Sequence, residues 1–192
     1  MSAWIQTYGG RKFHPLDPRP GDVRITDVAH ALSNLCRFTG HSRYFYSVAE
    51  HSVRASWHVP AEDAMWALLH DASEAYVNDL ARPVKRSPGL AFYREAERRL
   101  QGVICVAFGL PLEEPMSVRI ADLRMLMTER RDLMATPPEP WAETDEPYPE
   151  RIGRPWQPHA ARAEFRARFD ELLRNGLGFK LPAATAQADG HP

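Results

Sequence analysis

The stretch from Trp66 to Leu80, WALLHDASEAYVNDL, carries four groups that can bind or move a proton: His70, Asp71, Glu74 and Asp79. They follow an apolar run of the kind that folds inward, yet carboxylates are among the residues least often buried, and an unpaired buried charge is costly. Either the helix ends at the surface and the charges are solvated, or a cation sits among them. On a helix, Glu74 neighbours both His70, four positions earlier, and Asp71, three positions earlier. His70 and Asp71 point about 100° apart, so both could reach one ion at the helix edge. Imidazole and carboxylate together suit one first-row divalent ion, Mn, Fe, Co, Ni or Zn, with Mg also admissible. Two ligands leave a site incomplete. Upstream, SVAEHSV offers Glu50 and His51. Downstream, RIADLRML offers Asp122, flanked by Ile120, Leu123 and Leu126 on or near an apolar face, where a carboxylate needs a partner.

The elements that must position these residues are mostly helical. In residues 1–24 a Gly9-Gly10 turn between short alternating segments predicts a small β-hairpin, followed by an extended arm in which Pro15, Pro18 and Pro20 exclude a helix. From Ile25 the period changes: ITDVAHALSNLCRF places Ile25, Val28, Ala29, Leu32, Leu35 and Cys36 on one helical face. SVAEHSVRASWH reads as a second helix capped by Ser47, and PAEDAMWALLHDASEAY as a single third helix opened by Pro60. A fourth, SPGLAFYREAERRLQGVICVAF, stops at Gly109 and Pro111, and a fifth, EEPMSVRIADLRMLMTERRDLM, stops before Pro137. Residues 136–158 hold seven of the 17 prolines and five acidic residues, which predicts a long irregular segment, either a lid or an ordered surface wrap anchored by Trp141, Tyr148 and Trp156. HAARAEFRARFDELLRN supplies a last helix. Residues 25–180 are thus expected to form one helical bundle, with 181–192 as a flexible tail.

Composition narrows the function. A chain of 192 residues with 44% hydrophobic and 26% charged residues is long enough for one domain with a sizeable core. A net charge of −1 argues against a nucleic-acid polymer as partner, while allowing a local basic pocket for a small phosphorylated ligand. The longest apolar runs, AMWALL and VICVAF, are far too short for a membrane helix. Cys36 and Cys105 have no disulfide or zinc spacing, and the N-terminus lacks the pattern of a signal peptide, so a cytoplasmic location is expected.

The order His51 in AEHS, His70-Asp71 in LLHDASE and Asp122 on successive helices resembles the HD-domain superfamily of metal-dependent phosphohydrolases. The longer string AEHS…LLHDASEAYVNDLARPVK is similar, more narrowly, to the bacterial 5′-deoxynucleotidase-like branch, itself similar to small phage enzymes that hydrolyse dATP. The resemblance spans roughly Ile25 to Leu133. It implies an all-α HD-domain bundle in which His51, His70, Asp71 and Asp122 hold one divalent metal ion. It implies that Glu74 positions or deprotonates the attacking water, with Asp79 near the sugar. Arg37 and Lys85 would meet phosphate, with Arg82 and Arg86 in the same basic cluster. Phe38 stands where those enzymes tend to have tryptophan. The expected activity is a 5′-nucleotidase acting on (deoxy)nucleoside monophosphates. The alternatives are a triphosphohydrolase releasing triphosphate from a dNTP, and a non-catalytic HD-fold module that binds nucleotide. A homo-oligomer is expected by resemblance alone.

Read singly, each residue also has an ordinary role. Glu74 could make a structural salt bridge, Asp79 could cap a turn, and Arg37 and Lys85 could be solvated surface charges. His41, Tyr44, Phe45 and Tyr46 could stack on a base or pack the core, and His30 suits a hydrogen-bonded core histidine.

Overall fold

A computed structural model describes residues 3–176 and shows a mostly helical chain with a small N-terminal hairpin. The hairpin pairs β1 (Ile5–Gln6) with β2 (Lys12–Phe13) antiparallel, Ile5 opposite Phe13. Its turn places Gly10 at φ 74°, in the left-handed region that a residue without Cβ enters freely. Phe13 is fully buried and stacks on Tyr76 at 3.8 Å between ring centroids, which ties the hairpin to the bundle. The prolines that follow do not exclude helical geometry altogether, since Pro20–Asp22 form one short 3-10 turn with Pro20 in its first position. The tail expected over 181–192 lies outside the described residues.

The bundle is built around α2 (Val48–Ser56), whose neighbours are α1 (Ile25–Asn34), α3 (Ala64–Leu69), α7 (Met116–Leu133) and α8 (Pro158–Arg174). Eight of its nine residues are buried, so it is a core helix on all sides. Ser47 caps it by accepting the Glu50 N–H at 3.1 Å. A helix buried all round must satisfy its polar residues internally. Glu50 does so with Arg54 at 2.8 Å and the Trp156 N–H at 2.7 Å, and His51 does so within the site described below. Apolar side chains of α1, α2, α3 and α8, among them Leu32, Val53, Leu68 and Phe165, fill the core with Leu100 and Ile104 of α6 (Ala91–Phe108).

Two expected helices are shorter than their sequence period. The first ends at Asn34; Leu35 and Cys36 turn extended, and Cys36 bridges to Ser47, which brings the start of α2 alongside. The third is not continuous. α3 stops at Leu69, and regular helix resumes only at α4 (Glu74–Val77). Between them the backbone keeps right-handed dihedrals but switches to i→i−3 hydrogen bonds, Ala72 N–H to Leu69 O at 3.0 Å and Glu74 N–H to Asp71 O at 3.0 Å. Such tightening often marks a functional position. A further short helix, α5 (Arg82–Lys85), has no sequence counterpart beyond the basic cluster itself.

Candidate metal centre

His51 sits mid-α2, His70 and Asp71 in the tightened turn, and Asp122 on α7. Their side chains converge. His51 Nε2 lies 3.2 Å from His70 Nε2 and 3.2 Å from Asp122 Oδ1. His70 Nε2 lies 3.2 Å from Asp71 Oδ2 and 3.9 Å from Asp122 Oδ1, and His51 Nε2 lies 3.8 Å from Asp71 Oδ2. Nitrogen and oxygen donors about 2.0–2.2 Å from a common ion stand roughly 3–4 Å from one another, so these separations suit a metal. His51, His70 and Asp71 each offer a ligand atom within 4.8 Å of the others and form a group that could hold a metal ion.

The outer nitrogens are already engaged. His51 Nδ1 faces Glu129 Oε1 at 2.5 Å, and His70 Nδ1 faces the Ala67 carbonyl at 2.7 Å. Each contact turns Nε2 inward, the usual way in which surrounding groups orient metal-binding histidines. Gln101 of α6 bridges the tightened turn: its Nε2 donates to Leu69 O at 2.9 Å, and its Oε1 accepts the Ser73 N–H at 3.3 Å.

Strongly coupled charges meet at this point. Burial works against a charged His70 ring, yet Asp71 and Asp122 push it up to about 9. Burial would raise both carboxyls, but the histidines outweigh it, with Arg37 assisting at Asp71. Asp71 is held far below the usual carboxylate range and Asp122 at about 2. A proton on His70 meets the two carboxylates here, and a metal ion held by the same groups would take the place of that proton.

The other expected site residues surround a cleft of about 830 Å³ that opens on Asp71 and Asp122. Phe38, Glu74, Asp79, Arg82 and Lys85 all line it. Glu74 is buried, and its Oε2 has no hydrogen-bond partner. Burial first, then Asp71 and Asp79, hold the Glu74 carboxyl well above its ordinary value. Asp79 is raised too, chiefly by burial.

The three cations are each held by a carboxylate rather than left as solvated charges. Arg37 is nearly buried, its Nε on Glu129 Oε2 at 3.1 Å and its Nη1 on Asp71 Oδ2 at 3.4 Å. Lys85 Nζ meets Glu97 Oε1 at 2.6 Å, and Arg82 Nη1 meets Glu143 Oε1 at 2.5 Å. Sequence reasoning missed Glu129, Gln101, Glu97 and Glu143. Glu129 carried a signal: it is seven positions, two helical turns, beyond Asp122 and shares its face.

The aromatic residues divide. Tyr148 is buried and stacks on His58 at 3.6 Å, and Trp156 packs edge-on to Trp57 at 6.1 Å, so both anchor the proline-rich segment. Trp141 instead lines the cleft. Tyr46 is fully buried whereas Tyr44 is exposed, and His30 stacks on Tyr8 at 3.8 Å. Cys36 and Cys105 are free thiols. Among the described residues no helix is long and apolar enough to cross a membrane.

No family model matches the chain. YfdR of Escherichia coli (strain K12), described as an uncharacterized protein, is 46% identical to it over 131 residues, covering 68% of this chain and 72% of YfdR. An uncharacterized protein of Rhodobacter capsulatus is 34% identical over 198 aligned residues, covering 92% of this chain and 98% of the relative. At that identity and coverage, the chain belongs to the family that contains these two bacterial proteins.

Proposed function

We propose that this protein is an HD-type, metal-dependent phosphohydrolase whose substrates are (deoxy)nucleoside 5′-monophosphates. The observation that carries the reading is the convergence of His51, His70, Asp71 and Asp122, from three separate chain segments, beside a buried Glu74 oxygen that has no partner. A divalent ion held by those four residues would supply Lewis acidity, acidifying water and polarising a phosphoryl oxygen.

The chain's own residues supply the rest. Glu74 Oε2 accepts a proton from the attacking water, a role that needs a carboxyl with a raised pKa. Lys85 and Arg82 orient the phosphate and offset its charge, exchanging Glu97 and Glu143 for the substrate. Arg37, locked between Glu129 and Asp71, fixes the ligand carboxylate and presents the rest of its guanidinium to the cleft. Asp79 faces the same space and is suited to accept a hydrogen bond from a sugar hydroxyl. The ester P–O bond breaks as the water oxygen bonds to phosphorus, the proton taken by Glu74 passes to the departing 5′ oxygen, and the products are nucleoside and orthophosphate.

The charge of the cleft favours a monophosphate over a triphosphate. Arg37, Arg82, Lys85 and Arg86 face Asp71, Glu74, Asp79, Asp122 and Glu143. With one divalent ion, that lining is close to neutral, which matches a phosphomonoester better than the larger charge of a triphosphate.

The test is a hydrolysis screen of dNMPs, NMPs and dNTPs with Mn²⁺, Co²⁺, Zn²⁺ or Mg²⁺, with His70→Ala as control. Orthophosphate released from a dNMP and lost in the variant is the expected result. Intact triphosphate released from a dNTP would replace the reading with a triphosphohydrolase. Folded protein inactive with every metal and substrate would overturn it in favour of a binding module.

A further inference from the structure

The cleft that reaches Asp71 and Asp122 is lined by two kinds of residue. Asp71, Glu74 and Lys85 are ionic, and Phe38, Leu126 and Trp141 are apolar. Phosphate chemistry uses the first and gives the second no task.

Phe38 is held there at a conformational cost. It has φ 56° and ψ 28°, and Thr39 after it has φ 53°. Side chains with a Cβ rarely adopt this left-handed region. Backbone bonds fix the loop on both sides: Arg37 N–H to Tyr46 O at 2.9 Å and His41 N–H to Phe38 O at 2.9 Å. Over-determined, sparsely populated conformations of this kind cluster at ligand clamps.

Trp141 reaches the same cleft from the proline-rich segment. The bond from Arg124 Nε to Glu146 O, at 2.9 Å, and those from Arg131 to Tyr148 O and Glu150 O fasten that segment to α7. Phe38 and Trp141 stand 6.4 Å apart between ring centroids, tilted by 51°. A flat ring stacked between two others needs about 7 Å, twice a van der Waals separation. At 6.4 Å and 51° the two rings touch each other in the ordinary tilted aromatic geometry, so a base enters between them only as they part and align. Each ring also carries a guanidinium, Arg37 5.6 Å from the Phe38 centroid and Arg130 5.4 Å from that of Trp141. An arginine on each ring braces the pair in place.

We propose that the planar base of the substrate nucleotide is held between Phe38 and Trp141, so that the proline-rich segment forms one wall of the substrate site. The choice of a nucleotide as occupant rests on the reading above. The clamp recognises the π-face that all nucleobases share, so it selects nucleotides over other phosphomonoesters while tolerating different bases.

The experiment is calorimetric titration of dAMP and of 2-deoxyribose 5-phosphate, which lacks the base, into metal-free wild-type, W141A and W141F proteins. It needs no turnover. Removing one stacking partner should weaken dAMP binding by roughly 10- to 100-fold in W141A, with a far smaller effect on the sugar phosphate. W141F, which keeps a ring, should retain most of the wild-type affinity and shows that the segment still folds. Equal losses for both ligands, no loss for dAMP, or no dAMP binding by the wild type would each overturn the clamp. Trp141-dependent binding of dAMP by a protein that hydrolyses nothing upholds the clamp and sinks the hydrolase. Hydrolysis of dAMP with a KM indifferent to Trp141 does the reverse.

Discussion

His51 of α2 and Glu129 of α7 meet at 2.5 Å, Nδ1 to Oε1, with neither side chain exposed to solvent. The other oxygen of the same carboxylate holds Arg37, which also reaches Asp71. One buried glutamate thus aligns two of the proposed ligands, one directly and one through an arginine. Burial would raise its pKa, but Arg37 and His51 hold Glu129 below its ordinary value, so it stays a carboxylate.

Glu129→Gln keeps the shape and removes the charge. It should lower the affinity for Mn²⁺ or Zn²⁺ by roughly 10- to 100-fold, the usual effect of losing a group that orients a metal ligand. Glu129→Ala strands a buried arginine and should cost about 3–5 kcal/mol in chemical denaturation. Wild-type metal affinity in Glu129→Gln would reduce Glu129 to a structural prop.

Gln101 splints the turn that carries His70 and Asp71, with one amide group donating to Leu69 O and accepting from Ser73 N–H. Gln101→Ala should therefore loosen that turn without touching any ligand. A net loss of about 1–2 kcal/mol is expected for two such bonds. Amide hydrogen exchange at Ser73 should quicken by more than global stability accounts for. Unchanged exchange there would mean that packing of Ala72 and Tyr76, not the splint, holds the turn.

The sequence carried the helices through period and punctuation. Ser47 before α2 and Gly109 after α6 are local signals, and local chemistry decides those ends. The break after Leu69 was not legible, because AMWALLHDASEAY keeps a helical period throughout. Gln101, which bonds to this turn from 28 positions beyond Ser73, leaves no local mark in it. The ligand residues were visible as types and order. Their partners Glu97 and Glu143 were not, since nothing in a surface-looking carboxylate says which lysine or arginine it will meet across the fold. Trp141 was legible only as an aromatic in a proline-rich stretch, because tertiary placement alone distinguishes it from Tyr148 and Trp156, which serve as anchors.

Glu74→Gln separates chemistry from metal binding. Glu74 lines the cleft, and the contacts that link the converging donors of His51, His70, Asp71 and Asp122 to one another do not include it. The substitution should lower kcat by roughly 10²–10⁴-fold, the range for losing a positioned general base, with metal affinity close to wild type. A base works only when ionised, and burial, Asp71 and Asp79 raise the Glu74 carboxyl. The wild-type rate should therefore climb with pH through that raised value, and the climb should vanish in the variant. A variant that loses metal instead would make Glu74 a ligand or a prop.

The proline-rich wall should fail in acid before the bundle does. Asp132, at the end of α7, accepts from Arg131 Nε at 2.7 Å, from the Ile152 N–H at 2.8 Å and from Arg151 Nη1 at 2.6 Å, while Arg131 also donates to Tyr148 O and Glu150 O. This knot fastens residues 148–152 to the body. Burial opposes ionisation, but Arg131, the Ile152 N–H and Arg151 together hold Asp132 at about 2, against an ordinary 3.8. A carboxyl whose folded value is depressed stabilises fully above its unfolded value and loses that contribution as pH falls through the folded one. The window is therefore about pH 4 down to pH 2, and the amount is roughly 2 kcal/mol at most. Asp132→Asn should lose that stability at neutral pH, and the gap between variant and wild type should close as pH falls through the window in paired denaturant titrations. Because the knot fastens the same proline-rich segment that carries Trp141, Asp132→Asn should also weaken dAMP binding at neutral pH, in the same direction as W141A though by less. A gap that stayed constant from pH 6 to pH 2 would show that hydrogen-bond shape, and not the charge on Asp132, fastens the segment.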